Sequence, residues 1–297
     1  MASEVDEAFE SKTRIIATYR YDQEVTQRVS KPSVLKETYS IFLSGIDKYG
    51  PVSTVSRSDV NMIITINPKE HQILLTSIPR DYFVTLATSN AKDKLTHAGL
   101  YGVEESMKTL ENLFGIDIDY YIRVNFTSVN KIVDALGGVE VYTKYNFISS
   151  GGKYSFKEGN NYVNGDSALS FVRERYHLPG GDNARVYHQQ QLIQGILNKA
   201  TSPSIITRYA SVLDSISDSI QMSLTQEELT AIIRDQMDTM KTWDVQQYQV
   251  SGTGSYSETY SWKGKQLYVM IPNELTVQKA ASYIHQMENG QRIDVSK

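Results

Sequence analysis

Three short apolar runs near the start of the chain constrain its fold more than any other feature. They are Tyr39–Gly45, Val60–Ile66 and Gln72–Ile78, each of the length and texture of a buried strand. The dipeptide Asn67-Pro68 lies between the second and third runs and is a turn signal. These runs therefore predict adjacent strands, of which the last two are joined by a tight connection.

Helical and strand patterns alternate after these runs. Helices are predicted over 103–114, 126–136, 185–199, 209–220, 225–240 and 277–287, and strands over 120–126, 139–142, 245–250 and 266–271. Such alternation is typical of an α/β fold, here with a central mixed β-sheet flanked by helices on both faces. Residues 1–38 are polar, and we interpret them as a linker or the remnant of an upstream accessory region.

Composition excludes several classes of function. The chain has no cysteine, which rules out disulfides, thiolate zinc sites and cysteine nucleophiles. Its formal net charge of −4, without a basic stripe or helix-turn-helix pattern, argues against nucleic-acid binding. An anion site in this chain must therefore be a local cluster of basic residues.

Arginines concentrate in a few short motifs at predicted element ends. Arg57 precedes the second strand, Arg80 follows the third, and Arg173 and Arg175 follow a helical segment. Arg185 and Gln189 are four residues apart on a predicted helix and so face the same way, with Asp182 as the expected helix cap. One such arginine is usually solvated or ion-paired, but several converging guanidinium groups suit a pyrophosphate.

Two aspartates near the first two strands suggest a metal site. Asp47 follows the first strand and Asp59 precedes the second, so neighbouring strands would let both carboxylates bind one Mg²⁺. The simpler interpretation is a pair of turn residues that accept backbone hydrogen bonds. A further open question is the apolar stripe of the predicted helix 185–199, which either packs in a core or lines a slot for an apolar chain. Its members are Leu192, Ile193, Ile196 and Leu197.

Seven ordered motifs resemble the LytR–CpsA–Psr family of cell-wall assembly enzymes. The resemblance covers about residues 39 to 200, and the remainder is similar to the streptococcal capsule branch. The motifs are Phe42-Leu43-Ser44-Gly45-Ile46-Asp47, Arg57-Ser58-Asp59, Ser77-Ile78-Pro79-Arg80-Asp81, Asp93-Lys94-Leu95-Thr96-His97-Ala98, Asn125-Phe126, Asp134-Ala135-Leu136-Gly137-Gly138-Val139 and Phe171-Val172-Arg173-Glu174-Arg175.

The resemblance implies a Mg²⁺-dependent phosphotransferase domain over residues 39–297, with an apolar pocket for a polyprenyl chain. Its substrate would be a capsular or teichoic-acid-like glycopolymer on undecaprenyl pyrophosphate, and its acceptor peptidoglycan. The metal ligands would be Asp47 and Asp59, and the predicted catalytic residues are Arg57, Arg80 and Asp81. The pyrophosphate-binding set would be Arg57, Arg80, Arg173, Arg175, Arg185 and Gln189.

Family members of this branch also carry membrane anchors, so we expect this chain to be a fragment of an anchored protein. Because the acceptor lies there, the resemblance implies a domain at the outer face of a Gram-positive cytoplasmic membrane. Tyr187 and His188 stand where the family usually has an extra basic residue. Two other functions use the same residues: a hydrolase that cleaves the pyrophosphate with water, and a non-catalytic module that binds the lipid carrier.

Overall fold

The computed structural model describes residues 33–179, 181–206 and 208–296, which form two compact units. The sheet unit holds described residues 33–124, 221–224 and 243–296, and the helical unit holds those within 125–220 and 225–242. Almost all of the predicted linker, residues 1–38, lies outside the described residues and stays a prediction.

The strands are short in the helical unit and longest in the sheet unit. They are β1 (Tyr39–Ile46), β2 (Ser58–Asn67), β3 (Gln72–Ile78), β4 (Phe83–Thr85), β5 (Lys92–Lys94), β6 (Tyr120–Asn125), β7 (Val139–Thr143), β8 (Phe147–Ile148), β9 (Ser155–Phe156), β10 (Gly159–Val163), β11 (Gln221–Met222), β12 (Asp244–Gln249), β13 (Gly252–Thr259) and β14 (Trp262–Pro272).

The helices range from single turns to nineteen residues. They are α1 (Leu95–Ala98), α2 (Val103–Phe114), α3 (Phe126–Ala135), α4 (Gly165–Arg173), α5 (Asp182–Ala200), α6 (Pro203–Ile206), α7 (Tyr209–Ile216), α8 (Gln226–Thr239) and α9 (Glu274–Glu288). Within the described residues, no helix combines the length and the apolar character needed to span a membrane.

The centre of the sheet unit is a six-stranded mixed sheet in the order β11-β6-β1-β2-β3-β12. The strands β1, β2 and β3 pair antiparallel, as the turn signal at Asn67-Pro68 predicts, whereas β12 runs parallel to β3. The α/β class, with a central mixed sheet flanked by helices, is confirmed.

The core of the sheet unit lies where α2 and α9 pack on the sheet. Phe42, Ile63 and Leu74 lie on the same face of β1, β2 and β3. They pack against the apolar faces of the two helices in one buried cluster. The other face of these strands is buried as well, as Leu43 and Leu75 show. Burial of both faces explains why the three runs are almost continuously apolar.

The helical unit has its own core, formed around α3, α4 and α5. Leu192 and Ile196 of α5 pack there with Phe171 of α4, so core packing is the correct interpretation for these two members of the apolar stripe. Ile193 and Leu197 are half-buried, outside that cluster.

Three predicted boundaries differ from the structure for identifiable reasons. The strand predicted to reach Phe126 ends at Asn125, because the Asn125 side chain accepts a hydrogen bond from the Ser128 amide and caps α3. Helix α5 begins at Asp182 with Gly181 in the N-cap position, so the prediction of Asp182 as the cap is wrong. Helix α7 stops at Ile216 rather than residue 220, since a turn closed by the hydrogen bond from the Ser219 amide to the Ile216 carbonyl leads from it to β11.

Replacing Leu74 by alanine should lower the free energy of unfolding by ~2–5 kcal/mol, because the fully buried side chain leaves a cavity in the core of the sheet unit. Leu275→Ala is the matched control, since Leu275 is 75% exposed on α9 and should change stability by less than ~0.5 kcal/mol. Urea titration followed by circular dichroism measures both. Equal stability of the two variants would contradict this assignment of the core.

Candidate active site

The two predicted metal ligands lie at the same end of the β1–β2 pair. Asp47 directly follows β1, and Asp59 is the second residue of β2 rather than preceding it. The register runs from Gly45 opposite Val60 to Ile46 opposite Ser58, which leaves Asp59 as the extra residue of a β-bulge. A bulge changes the direction of the side chain it carries and often lies beside a functional site.

A cluster of alternating charges surrounds Asp59. Its Oδ1 accepts a hydrogen bond from the Arg80 guanidinium at 2.8 Å and from the Thr96 hydroxyl at 3.3 Å. Asp81 pairs with Arg80 at 3.6 Å and, more closely, with the Lys94 ammonium at 2.8 Å. Arg80 and Asp81, just after β3, therefore form a fixed ionic network, and their side chains stay partly open to solvent.

Backbone hydrogen bonds hold this cluster in place. The amides of Thr96 and Leu95, at the start of α1, donate to the carbonyls of Arg80 and Tyr82 at 2.8 Å each. Gly99, next to α1, lies so close to the chain before β2 that a Cβ there would come within 2.8 Å of the Ser56 carbonyl and the Ser58 amide. Only glycine permits this approach, which fixes the segment that carries Arg57.

Arg57 lies on an aromatic surface that the sequence analysis missed. Its guanidinium carbon lies 4.9 Å from the centroid of the Trp262 ring, a cation–π contact with β14. The His97 ring packs on the same indole with centroids 4.7 Å apart. Trp262 therefore connects Arg57 to the Asp93–Ala98 motif. The sequence signal that could have identified Trp262 was its rarity, since the chain has two tryptophans.

Behind Trp262, a buried hydrogen bond to Asp93 orients His97. The Nδ1 atom of His97 lies 2.6 Å from Asp93 Oδ1, and the amide and hydroxyl of Ser261 donate to Asp93 Oδ2. Burial raises the pKa of Asp93, but the hydrogen bonds from His97 and Ser261 outweigh it and hold that pKa below its ordinary value. The Asp93 carboxylate thus ties α1 to the turn between β13 and β14.

The other arginines of the predicted pyrophosphate-binding set lie in the helical unit. Arg173 is the last residue of α4, and its guanidinium carbon lies 4.3 Å from the centroid of the Phe126 ring. Glu174 then turns to an extended conformation, with φ −64° and ψ 133°. Arg175 lies over the ring of Tyr176 at 5.0 Å. Since the regular helix ends between the two arginines, they do not project from one helix at a fixed angular offset.

Glu174 anchors the segment that carries both arginines. Its fully buried carboxylate accepts hydrogen bonds from the amides of Arg175, Tyr176 and His177 at 2.9 to 3.1 Å, and from the amide and hydroxyl of Ser150. Burial alone raises the pKa of Glu174, but the hydrogen bonds, led by that from the His177 amide, lower it from 4.5 to about 2.

Arg185 and Gln189 stand one turn apart near the start of α5. Between them, His188 is fully buried against Phe171 and Phe147, and its Nε2 lies 2.9 Å from the Thr143 hydroxyl. Burial lowers the pKa of His188 to about 4, so it is neutral near pH 7 and supplies no cation. A cation does lie beside the neighbouring Tyr187, because the ammonium of Lys144 is 4.6 Å from the centroid of the Tyr187 ring.

Comparison with known proteins decides the family. The model of the LytR_cpsA_psr family matches residues 5–277. The chain belongs to the LytR–CpsA–Psr family. The teichoic acid–peptidoglycan transferase TagU of Bacillus anthracis is 36% identical over 239 residues, which are 80% of this chain and 76% of TagU.

Solved structures of family members have the same fold. Bacillus subtilis TagV superposes with a TM-score of 0.70 at 26% identity, over 87% of this chain and 99% of TagV. TagT bound to LIIa-WTA gives a TM-score of 0.72 at 25% identity, over 90% and 97% of the two chains. The family resemblance of the motifs is thus confirmed, whereas nothing in these matches specifies the capsule branch.

In the LytR–CpsA–Psr fold of this chain, the predicted site residues fall into two groups. The sheet unit brings together Asp47, Arg57, Asp59, Arg80 and Asp81 around the ends of β1, β2 and β3. The helical unit holds Arg173, Arg175, Arg185 and Gln189. Sequence reasoning assigned no role to Lys94, Thr96, Trp262 or Glu174, although three of them lie in quoted motifs or beside predicted site residues.

The donor set in the sheet unit fits magnesium. Asp59 Oδ2 takes part in no hydrogen bond among the described residues, and Asp47 is exposed beyond β1. The described residues contain no group of three or more histidine, aspartate or glutamate side chains that could hold a metal. Magnesium does not need one, since it binds through one or two carboxylates with waters and substrate phosphates completing its shell.

Glu174→Gln should remove a pH-dependent part of the stability. Because the folded-state pKa of Glu174 lies below 4.5, its contribution is complete above that value and is lost as the pH falls towards about 2. Between about pH 6 and pH 3 the parent protein should lose ~2 kcal/mol of unfolding free energy that the variant does not lose. Parallel slopes for parent and variant in urea titrations over this range would contradict the buried carboxylate network.

Proposed function

We propose that this chain is a phosphotransferase that moves a glycopolymer from a polyprenyl-pyrophosphate carrier to peptidoglycan. The main support is the cluster at the ends of β1, β2 and β3, where Arg57 and Arg80 are preset beside two carboxylates. Membership of a family whose curated member TagU is named a teichoic acid–peptidoglycan transferase supports the same reaction class. A teichoic-acid-like polymer on undecaprenyl pyrophosphate is the donor we favour, with a capsular polysaccharide as the alternative polymer.

In this reaction, an acceptor hydroxyl oxygen attacks the phosphorus on the sugar side of the pyrophosphate. A new phosphorus–oxygen bond forms, the bond to the bridging oxygen breaks, and polyprenyl phosphate leaves. Negative charge grows on the bridging and outer oxygens, so positioned cations supply most of the catalysis. Arg57 and Arg80 of the sheet unit meet this requirement. The further contacts that the family resemblance implies, Arg173, Arg175, Arg185 and Gln189, stay a prediction.

The ion pairs around β3 assign Asp81 a supporting role. A general base must accept the proton of the acceptor hydroxyl, but Asp81 is held by Lys94 at 2.8 Å and by Arg80 at 3.6 Å. Nearby cations stabilise a carboxylate and weaken it as a base. We therefore infer that Asp81 orients Arg80, and that Asp59 does so too through its 2.8 Å hydrogen bond.

Magnesium is the cofactor we propose, with Asp47 and Asp59 as its protein ligands. When bound, it would neutralise charge on the phosphate oxygens that face the carboxylates. Asp59 would then have two roles, because its Oδ1 already accepts a hydrogen bond from Arg80 while its Oδ2 accepts none from a described residue. The bulge at Asp59 lets one side chain serve the arginine and the ion.

The setting we propose is the outer face of a Gram-positive cytoplasmic membrane, where peptidoglycan is accessible, with an apolar pocket for the polyprenyl chain. An assay with lipid-linked glycopolymer and purified peptidoglycan tests the function directly. Covalent glycopolymer–peptidoglycan product supports transfer. Release of free phosphorylated polymer alone would instead establish a hydrolase, and tight lipid binding without turnover a carrier module.

Arginine-to-alanine replacement at Arg57, Arg80, Arg173 or Arg175 should lower kcat/KM for transfer by ~10²–10³-fold, the loss typical of one preorganised donor. Lysine at the same positions should recover part of the rate, since it keeps the charge but lacks the planar fork. Arg234→Ala is the control, because Arg234 is exposed on α8 outside the proposed site. Full activity of the Arg80→Ala variant would refute the proposed cluster.

Asp47→Ala and Asp59→Ala should each abolish Mg²⁺-dependent transfer while leaving the thermal unfolding midpoint within ~2 °C of the parent. Both side chains lie outside the apolar core, so their loss removes ligands rather than packing. Activity is measured against magnesium concentration. A magnesium response equal to that of the parent in both variants would exclude this pair as the ligands.

A further inference from the structure

The β13–β14 hairpin of the sheet unit presents a pair of exposed tyrosines. Tyr256 and Tyr268 lie directly opposite each other across the two strands, with ring centroids 6.0 Å apart and planes at 81°. Tyr256 is 72% exposed and Tyr268 42%. A Cβ on Gly254 would come within 3.0 Å of the Tyr268 ring, so this ring lies over the bare backbone of the neighbouring strand. We call Gly254, Tyr256, Gln266 and Tyr268 the tyrosine face, since alternation puts them on one side of the hairpin.

The hairpin is fixed to the sheet unit on its other side, so the tyrosine face is preformed. Val269, next to Tyr268 and therefore pointing the opposite way, is fully buried. The Met270 amide donates to the Asp81 carbonyl at 2.7 Å, and the Tyr260 amide to the Lys92 carbonyl at 3.0 Å. A rigid surface loses little conformational entropy on binding, which favours recognition.

The tyrosine face is continuous with the proposed site. Tyr268 stands two residues, ~7 Å along an extended strand, from Met270, whose amide bonds to the backbone of Asp81. At the other end of β14, Trp262 carries the guanidinium of Arg57. One strand therefore runs from a predicted pyrophosphate contact to the segment of Arg80 and Asp81, with the tyrosines between them.

The chemistry of the hairpin suits a sugar chain with negative charges. An aromatic ring offers an apolar surface to the C–H face of a pyranose, while tyrosine hydroxyls and Gln266 supply hydrogen bonds. The exposed part of the face carries glycine and a polar amide around the tyrosines, while Met270, opposite Gly254, is half-buried against the core of the sheet unit. The hairpin as a whole has a net positive charge, because it carries exposed Lys263 and Lys265 against one acid, Glu258, although alternation places Lys265 on the side opposite Tyr268.

We propose that the tyrosine face binds the glycopolymer portion of the donor substrate, as a chain of pyranose rings bearing phosphodiester groups. This inference rests on the proposed function, because the polymer must extend from a pyrophosphate held beside Arg57 and Arg80. The face then acts as a specificity surface that distinguishes a long anionic donor from a short one. Stacking on Tyr256 and Tyr268 carries the affinity, and the net positive charge of the hairpin favours phosphate-bearing chains.

The binding test titrates the intact protein with a lipid-free oligosaccharide that carries phosphodiesters and spans ~20 Å, about six residues of strand. The Tyr256→Ser, Tyr268→Ser double variant should bind it ~10-fold more weakly, and phenylalanine at both positions should restore most of the affinity. Tyr142→Ser is the matched control, since Tyr142 is an exposed strand tyrosine of the helical unit. Unfolding midpoints verify that each variant is folded.

Three results would overturn the inference: no binding of the anionic oligosaccharide to the parent protein, equal affinity in the double variant, or tighter binding of a neutral peptidoglycan glycan fragment than of the anionic chain. The last result would assign the face to the acceptor. Weaker binding in the double serine variant alone, with the anionic chain preferred over the neutral one, supports it.

A transfer assay separates failure of this inference from failure of the proposed function. The double serine variant should raise KM for a long-chain donor several times more than KM for a donor with a single sugar on its pyrophosphate. A parent protein that transfers neither donor refutes the proposed function, and the oligosaccharide titration still decides whether the tyrosine face binds the glycopolymer. Equal changes in KM for the two donors would refute glycopolymer binding by the tyrosine face.

Discussion

The antiparallel register of β1, β2 and β3 is the constraint on which the site in the sheet unit depends. Gly45 pairs with Val60, and Asn61 pairs with Ile78, so the end of β1, the start of β2 and the end of β3 meet at one edge of the sheet. Because side chains alternate between faces, a slip of one residue would move Phe42 and Ile63 away from the helices α2 and α9 and separate Asp59 from Arg80. The buried core thus fixes the register, and the register fixes the charged cluster.

The same dependence explains which parts of the fold sequence reasoning predicts. The β3 strand and the α2 helix match their predicted bounds, since β3 is a continuous buried run and α2 has a strong helical periodicity. The β13 strand, Gly252–Thr259, was missed because its glycines, serines and threonines show no apolar alternation. Trp262 was missed with it. A hairpin whose outer face is open to solvent carries little of the pattern that burial imposes on a sequence.

The helical unit shows a limit of a different kind. Arg173 and Arg175 form a pair in the sequence, but the helix end that lies between them cannot be located from two arginines. The end is set by Glu174, which accepts hydrogen bonds from Ser150, twenty-four residues earlier, and from the three amides that follow. A buried carboxylate between two arginines would be interpreted from sequence as their ion-pair partner, yet most of its hydrogen bonds come from backbone amides.

Preorganisation links these observations to chemistry. A guanidinium in water must lose solvent and side-chain freedom when it binds phosphate, and that cost reduces catalysis. In this chain Arg80 is held by Asp59 and Asp81, Arg57 lies on Trp262, and Arg173 lies on Phe126. Aromatic support leaves the charge of a guanidinium uncancelled, whereas a carboxylate partner partly neutralises it. Within the sheet unit, Arg57 therefore keeps more of its charge for an anionic ligand than Arg80 does, and Arg80 is the more rigidly placed of the two.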